Sequence, residues 1–284
     1  GRILGGRLRI IEHLGSGGTA GYYRADHLRL GRPCVLALAC PEISSDPLLH
    51  RRFLAPARLR AMVSHPNVLA NYEVGDGADG RAWYAGEIFD GDPLSEILEE
   101  REGRLPLAEA LTLARRMAAG LDAVHAAGIV HRNVSPLWFT VGRGEDPVVK
   151  LEIGAEAIGP GGLSGIDSTD RFIVGTPAFL SPEEVSGEPG DRRSDLYSFG
   201  LTLYRMLTGR VPQYHETIAK TFFGRLHNPL PRLRDLAPDL RVPDGVERAL
   251  ATLVDRSPAR RPPTAAAAVD AMIRFSGGTG GRRK

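Results

Sequence analysis

"DRRSDLYSFGLTLYRMLTGRVP", residues 191–212, is the stretch that decides the fold. From its Asp-containing start to Gly209 it reads as one long helix, and glycine is the usual stop signal. Upstream, "PLAEALTLARRMAAGLDAVHAAG" (106–128) has Pro106 near a first turn and Gly128 at its end. There Leu107, Leu111, Ala114, Ala118, Leu121 and Val124 recur at helical spacing. Downstream, "PTAAAAVDAMIRF" (263–275) closes the chain's ordered part. Before residue 94 the pattern changes to short apolar runs broken by glycines: "RLRIIEHLG", "AGYYRADHL", "PCVLALAC", "NVLANYEVG" and "RAWYAGEIF". Alternation with β-branched and aromatic content predicts strands there. One helix interrupts them at 47–63, "PLLHRRFLAPARLRAMV". Strands first and helices after predict an α+β chain with a small sheet lobe followed by a larger helical lobe. The expected divisions are 1–90, 91–275 and a Gly-rich basic tail at 276–284, with "FDGDP" (89–93) as the hinge. No internal repeat is visible.

The chain has 284 residues, enough for one large domain or two lobes. It is 42% hydrophobic and 25% charged, with a net charge of +2, so no strongly acidic or basic class is implied. Its only lysines are Lys150, Lys220 and Lys284. Cys34 and Cys40 share one face if their segment is a single strand, with no geometry for a mutual disulfide. Two small core residues in a reducing compartment are expected. No uncharged run approaches the ~20 residues of a membrane span. The sequence starts at Gly1 and ends in a linker-like tail, which reads as a fragment of something longer.

The order of the motifs carries more. "GSGGTAGYY" (15–23) is a Gly-rich turn between two strands, able to lay backbone N–H groups against phosphates. It is followed by "HPNVL" (65–69), "HRNVSP" (131–136), "GTPAFLSPEE" (175–184), the 191–212 stretch and "RSPARRP" (256–262). That ordered set resembles the bacterial serine/threonine protein kinases of eukaryotic type, across nearly the whole chain. The resemblance implies a bilobal protein-kinase-like fold and transfer of the γ-phosphoryl of ATP to a protein hydroxyl. It also implies a strand lysine paired to a helix glutamate, a catalytic-loop Asp as base, an Asn on a metal, and the Asp of Asp-Phe-Gly on Mg²⁺.

Set against that pattern, the chemistry-bearing positions depart. No lysine precedes Lys150, so the strand position falls on Ala37 or Ala39, and Arg32 lies outside the run. The helix glutamate becomes Pro56, which costs a helix interior about 3 kcal/mol and predicts a kinked or late-starting helix. Four residues on, where the family has an apolar side chain, stands Arg60. The catalytic loop carries Asn133 for Asp, Ser135 for Lys and Trp138 for the metal-binding Asn. Asp-Phe-Gly becomes Glu152-Ile153-Gly154. The phosphate loop keeps Gly15, Gly17 and Gly18 but has Ala20 for its third glycine, with Tyr22 in place of an adenine-contacting valine. Gly86, before Glu87 of the hinge strand, replaces a bulky residue and suggests an open back pocket. The skeleton matches by contrast. Asp195 falls where the family holds the catalytic-loop backbone, and Glu183 and Arg261 where it has a buried ion pair.

The expectation is therefore a pseudokinase without catalytic activity, acting as a protein-binding or regulatory scaffold. Its expected partner is a protein, either an active kinase or another domain of the parent chain. No cofactor is expected on this reading. The alternative is a residual nucleotide binder or weak serine/threonine phosphotransferase with Glu152 as metal ligand, which would bring in ATP and Mg²⁺. A third reading is a small-molecule or peptide sensor using the vacated cleft. The histidines show no metal spacing, and the scattered arginines lack the basic stripe of a nucleic-acid reader. Ser168 and Thr169 are candidate phosphorylation sites with Arg132 as anchor. A cytoplasmic location is expected.

Overall fold

A computed structural model describes residues 2–101, 103–164 and 175–277. The first lobe contains β1 (Ile3–Leu4), β2 (Leu8–Ser16), β3 (Ala20–His27), β4 (Arg32–Ala39), α1 (Pro41–Ser45), α2 (Pro47–Ala61), β5 (Asn71–Asp76) and β6 (Ala82–Gly86). Its strands form one sheet in the order β1-β2-β3-β4-β6-β5, every pair antiparallel. Side chains alternate across such a sheet. One face packs Leu8, Ala25, Cys34, Leu36, Trp83 and Ala85 into a buried cluster. The other meets α2, whose Leu54 packs with Ala39 and Ala82.

α2 corrects one expectation: it runs unbroken from Pro47 to Ala61 with Pro56 inside it. Proline's missing donor costs a helix interior about 3 kcal/mol. Here Leu54, Ala55, Ala57 and Leu59 on the same helix are all buried, and that packing holds the helix through the proline. Asp46 starts it firmly, its carboxylate accepting from the amides of Leu48 and Leu49.

The "FDGDP" segment, expected as a hinge, contains a short strand. Gly91–Pro93 forms β7, which pairs with β8 (Phe139–Gly142), and β8 pairs with β9 (Val149–Leu151). α3 (Leu94–Glu100) and α4 (Leu107–Ala126) lie between β7 and β8 in the chain. The helical lobe continues with α5 (Pro182–Val185), α6 (Arg192–Thr208), α7 (Ile218–His227), α8 (Leu233–Leu236), α9 (Asp244–Leu253) and α10 (Ala265–Ser276). α6 begins in a capping box between Asp191 and Ser194. It ends at Gly209, whose φ of 76° is open to glycine at no steric cost. Almost every residue of α6 is buried, which makes it the central post of the lobe. α4, α9 and α10 pack around it in one apolar core with Leu121, Phe199, Leu203, Leu250 and Met272. The Gly-rich basic tail and the pair Ser168 and Thr169 lie outside the described residues, apart from Ser276 and Gly277.

Candidate functional site

The loop between α4 and β8 is built around one carboxylate. Asp195 is buried in the first turn of α6. It accepts the backbone N–H groups of His131 at 2.8 Å and Arg132 at 2.7 Å, and lies 2.8 Å from Nε2 of His125. That grip holds Arg132 in the left-handed region, φ 62°, which a non-glycine residue rarely adopts. Burial pulls the His131 imidazole below its ordinary pKa, against the opposing charge of Asp195. A neutral ring fits its contacts: Nε2–H donates to the Glu152 carbonyl at 2.8 Å, and Nδ1 accepts the Asn133 N–H at 3.3 Å. His125 and His131 are thus scaffold residues of the loop.

Asn133 uses both ends of its amide. Oδ1 accepts from the N–H and the hydroxyl of Thr176, at 3.0 and 2.9 Å, and Nδ2 donates to Glu156 at 3.2 Å. The donor end is what asparagine adds over aspartate at this position, and Glu156 is what it answers. Close by, the Ser135 hydroxyl, the Trp138 indole N–H and the second oxygen of Glu156 are buried with no hydrogen-bond partner among the described residues. Such orphaned groups are uncommon in folded proteins and mark sites where a ligand or water completes the set. Trp138 also closes over Gly154, where an added Cβ would lie 2.7 Å from the indole ring.

Above this loop the sheet presents Ala37, flanked in register by Tyr22 on β3 and Tyr84 on β6. Tyr22 points into the cleft, lining a cavity of about 330 Å³ with Arg60, Tyr84, Trp138 and Glu152. Tyr23 points the other way, against His13 and the outer cluster. Pairing of β3 with β4 is unbroken, so no bulge exchanges the two tyrosines; the irregularities fall on β2, between Ile10 and Glu12 and between His13 and Gly15. Burial, then the neighbouring Tyr84 through its charge and its hydrogen bond, pushes the Tyr22 hydroxyl up to about 12. It stays a neutral cover over the cavity.

Beneath that cover lies an ion pair joining the two lobes. Nη1 of Arg60, from α2, is 2.6 Å from Oε1 of Glu152, just after β9. The guanidinium also stands 5.1 Å from the Tyr84 ring centroid. Arg60 has a side chain only 5% exposed, whereas Glu152 is 43% exposed. The cleft therefore has a cation, delivered by the helix and not by the strand. The signal was present in the sequence: Arg60 stands one helical turn after Pro56, on the same face.

The remaining candidates are arranged as follows. Gly15 lies near the end of β2, Gly17 and Gly18 sit in the turn to β3, and Gly17 spends its N–H on the Ala20 carbonyl at 2.8 Å. Gly86 opens no back pocket: a Cβ there would lie 2.8 Å from the Ala70 carbonyl, so the glycine serves close approach of the β5 edge. Lys150 lies 2.8 Å from Glu87 at the lobe junction. Glu183 and Arg261 form a two-pronged pair at 2.6 and 2.8 Å, with the Arg261 side chain fully buried. Burial pushes the Glu183 carboxyl up, but hydrogen bonds from Arg261 and Ser194 win and hold it below its ordinary value. Among the described residues no cluster of three or more His, Cys, Asp or Glu is arranged to hold a metal.

Comparison with known proteins agrees with this architecture. Residues 8–271 match the protein kinase domain family, and the chain belongs to that family. It is 33% identical over 276 residues to the serine/threonine-protein kinase pkn2 of Myxococcus xanthus, covering 95% of this chain and 32% of that protein. It is also 33% identical to the DNA damage-responsive serine/threonine-protein kinase RqkA of Deinococcus radiodurans, covering 94% of this chain and 39% of that one. The chain thus spans about a third to two fifths of the length of these relatives. The fold is similar to the crystal structure of the Mycobacterium tuberculosis PknI kinase domain (C20A mutant), at a TM-score of 0.69 and 24% identity over 97% of both chains. As expected, it is a protein-kinase fold with a β-rich first lobe and a helical second lobe.

This kinship corrects the expectation of a non-enzyme. The relatives matching across nearly the whole chain are named as serine/threonine-protein kinases, and that finding counts against a non-enzyme. Arg60 brings a positive charge to the cleft from a helix position rather than from the strand. Among the described residues no helix is long and apolar enough to cross a membrane.

Proposed function

We propose that this chain is a nucleotide-binding member of the serine/threonine protein kinase family with weak phosphotransferase activity. Arg60 serves as its phosphate-facing cation and Glu152 as the carboxylate for a divalent ion. The Arg60–Glu152 pair at the base of the cleft carries the reading. It supplies one cation and one partly exposed carboxylate where phosphate oxygens and a hard metal ion need them. The donor set fits Mg²⁺, which commonly takes one or two carboxylates and fills its shell from water and phosphates. Bound ATP would supply the transferable γ-phosphoryl. With nucleotide bound, Arg60 would attract and orient phosphate oxygens, and the Glu152 carboxylate would hold the divalent ion. Tyr22 and Trp138 wall the cavity and limit water. Asn133 takes no proton, and loss of a general base costs about 10²–10⁴ in rate, so transfer is slow. Kinship with protein kinases supports a protein as phosphate acceptor or regulatory partner.

Titration with ATP, with and without Mg²⁺, tests the binding half. At 100 times its dissociation constant the ligand should stabilise the protein by about 2.7 kcal/mol. Labelled γ-phosphoryl transfer to a serine- or threonine-containing protein, compared between wild type and Glu152→Ala, tests the chemical half. No melting shift with ATP, together with equal transfer by wild type and variant, would remove the proposal.

A further inference from the structure

A second cavity, of about 630 Å³, lies in the helical lobe between α6, α7 and α9, away from the cleft. That volume falls within the range of small-ligand sites. Its floor is Arg225 of α7, fully buried, with Nη2 on the Ala178 carbonyl at 2.8 Å and the guanidinium 5.4 Å from the Tyr197 ring centroid. Nε of Arg225 has no partner. The rim is unbalanced in charge. Six arginines line the cavity against three carboxylates. Each carboxylate is already answered: Asp244 and Glu247 by Arg234, and Asp255 by Arg260. Asp244, Glu247 and Arg248 share one face of α9 by helical spacing. With the two acids taken by Arg234, Arg248 has no ion pair among the described residues, and neither does Arg256. The surplus is positive and made of planar guanidinium groups, which suit the paired oxygens of phosphate.

We infer that this cavity is a binding site for a phosphate monoester dianion, held by Arg248 and Arg256 over the positive floor of Arg225. The group can come from a free phosphate compound or from a phosphorylated serine or threonine of a protein segment. The inference does not depend on the reading of the cleft.

The test is calorimetric titration of the whole chain with inorganic phosphate, a phosphoserine peptide and the same peptide unphosphorylated. It is repeated on the double variant Arg248→Gln, Arg256→Gln. Both positions are exposed, so the variant should melt like wild type. Saturable binding of phosphate or phosphopeptide is expected, weakened about tenfold or more in the variant. Much tighter binding of the phosphopeptide than of phosphate assigns the source to a protein segment, and comparable binding assigns it to a free compound. No saturable binding by any arm, equal binding by the variant, or equal binding of the unphosphorylated peptide overturns the inference.

Discussion

Replacing Asn133 by aspartate, the residue its family carries there, is expected to destabilise this protein. The amide Nδ2 donates to Glu156 at 3.2 Å, while Oδ1 accepts twice from Thr176. Aspartate keeps the acceptor role and loses the donor. It also sets a second carboxylate against Glu156. Two unit charges about 4 Å apart repel by about 4 kcal/mol at an effective dielectric near 20. Glu156 is half-buried and can swing away, so the repulsion is discounted to roughly 1–2 kcal/mol. The lost hydrogen bond adds about 1 kcal/mol. A total of about 2–3 kcal/mol lowers Tm by roughly 4–10 °C. The sign with pH follows from linkage. The crowded pair in the variant binds a proton more tightly folded than unfolded, so its stability falls as pH rises. The gap from wild type should be small near pH 4 and widest above about pH 7. Thermal melts of both proteins across that range measure it. Adding Glu156→Gln to the variant should recover most of the loss, because the glutamine can donate to the new carboxylate. A gap that does not change with pH, or no recovery in the double variant, would refute the reasoning.

The Glu183–Arg261 pair gives a second test: truncating either residue to alanine leaves a buried charge alone and should cost about 3–5 kcal/mol in denaturant melts. A loss below about 1 kcal/mol at both positions would show the contact to be energetically idle. Glu184, half-buried in the capping box at Ser181, has its carboxyl raised to about 7 by desolvation, against the hydrogen bonds from Ser181. Its folded pKa lies above the unfolded value, so wild type loses stability between about pH 4.5 and 7. Glu184→Gln should remove that slope, and identical pH profiles for the two proteins would contradict it. Tyr22→Val, by uncovering the cavity over Arg60, should tighten ATP binding about tenfold, read by calorimetry; unchanged affinity would show that the tyrosine is no barrier.

Much of this molecule was legible in its sequence because its long elements are strongly patterned. The 191–212 stretch has a cap, an apolar body and a glycine stop, and it became the buried post α6. Local rules failed where tertiary contacts overrode them. Proline at position 56 argues against a helix, yet Leu54 and Leu59 bury beside it and hold the turn. Gly86 reads as missing bulk, but its cause is the Ala70 carbonyl of a neighbouring strand edge, which no one-dimensional spacing displays. In the candidate site, the missing family residues were plain, including a strand position without lysine at Ala37 or Ala39. The partnerships that replace them were not. That Arg60 reaches Glu152 across 92 positions of sequence depends on two lobes meeting, and that Asn133 answers Glu156 depends on how the α4–β8 loop folds against the segment after β9.

The central claim is that Arg60 is the cation that holds nucleotide phosphates in this cleft. Calorimetric titration of wild type and Arg60→Gln with Mg²⁺–ATP tests it most directly. Glu152 is partly exposed, so water can take the place of its partner and the variant should stay folded, as a melting curve will show. Saturable binding by wild type is expected, with affinity about tenfold or more weaker in Arg60→Gln, the loss of one charge-assisted contact. Equal affinity in the two proteins, or no binding by wild type, would contradict it.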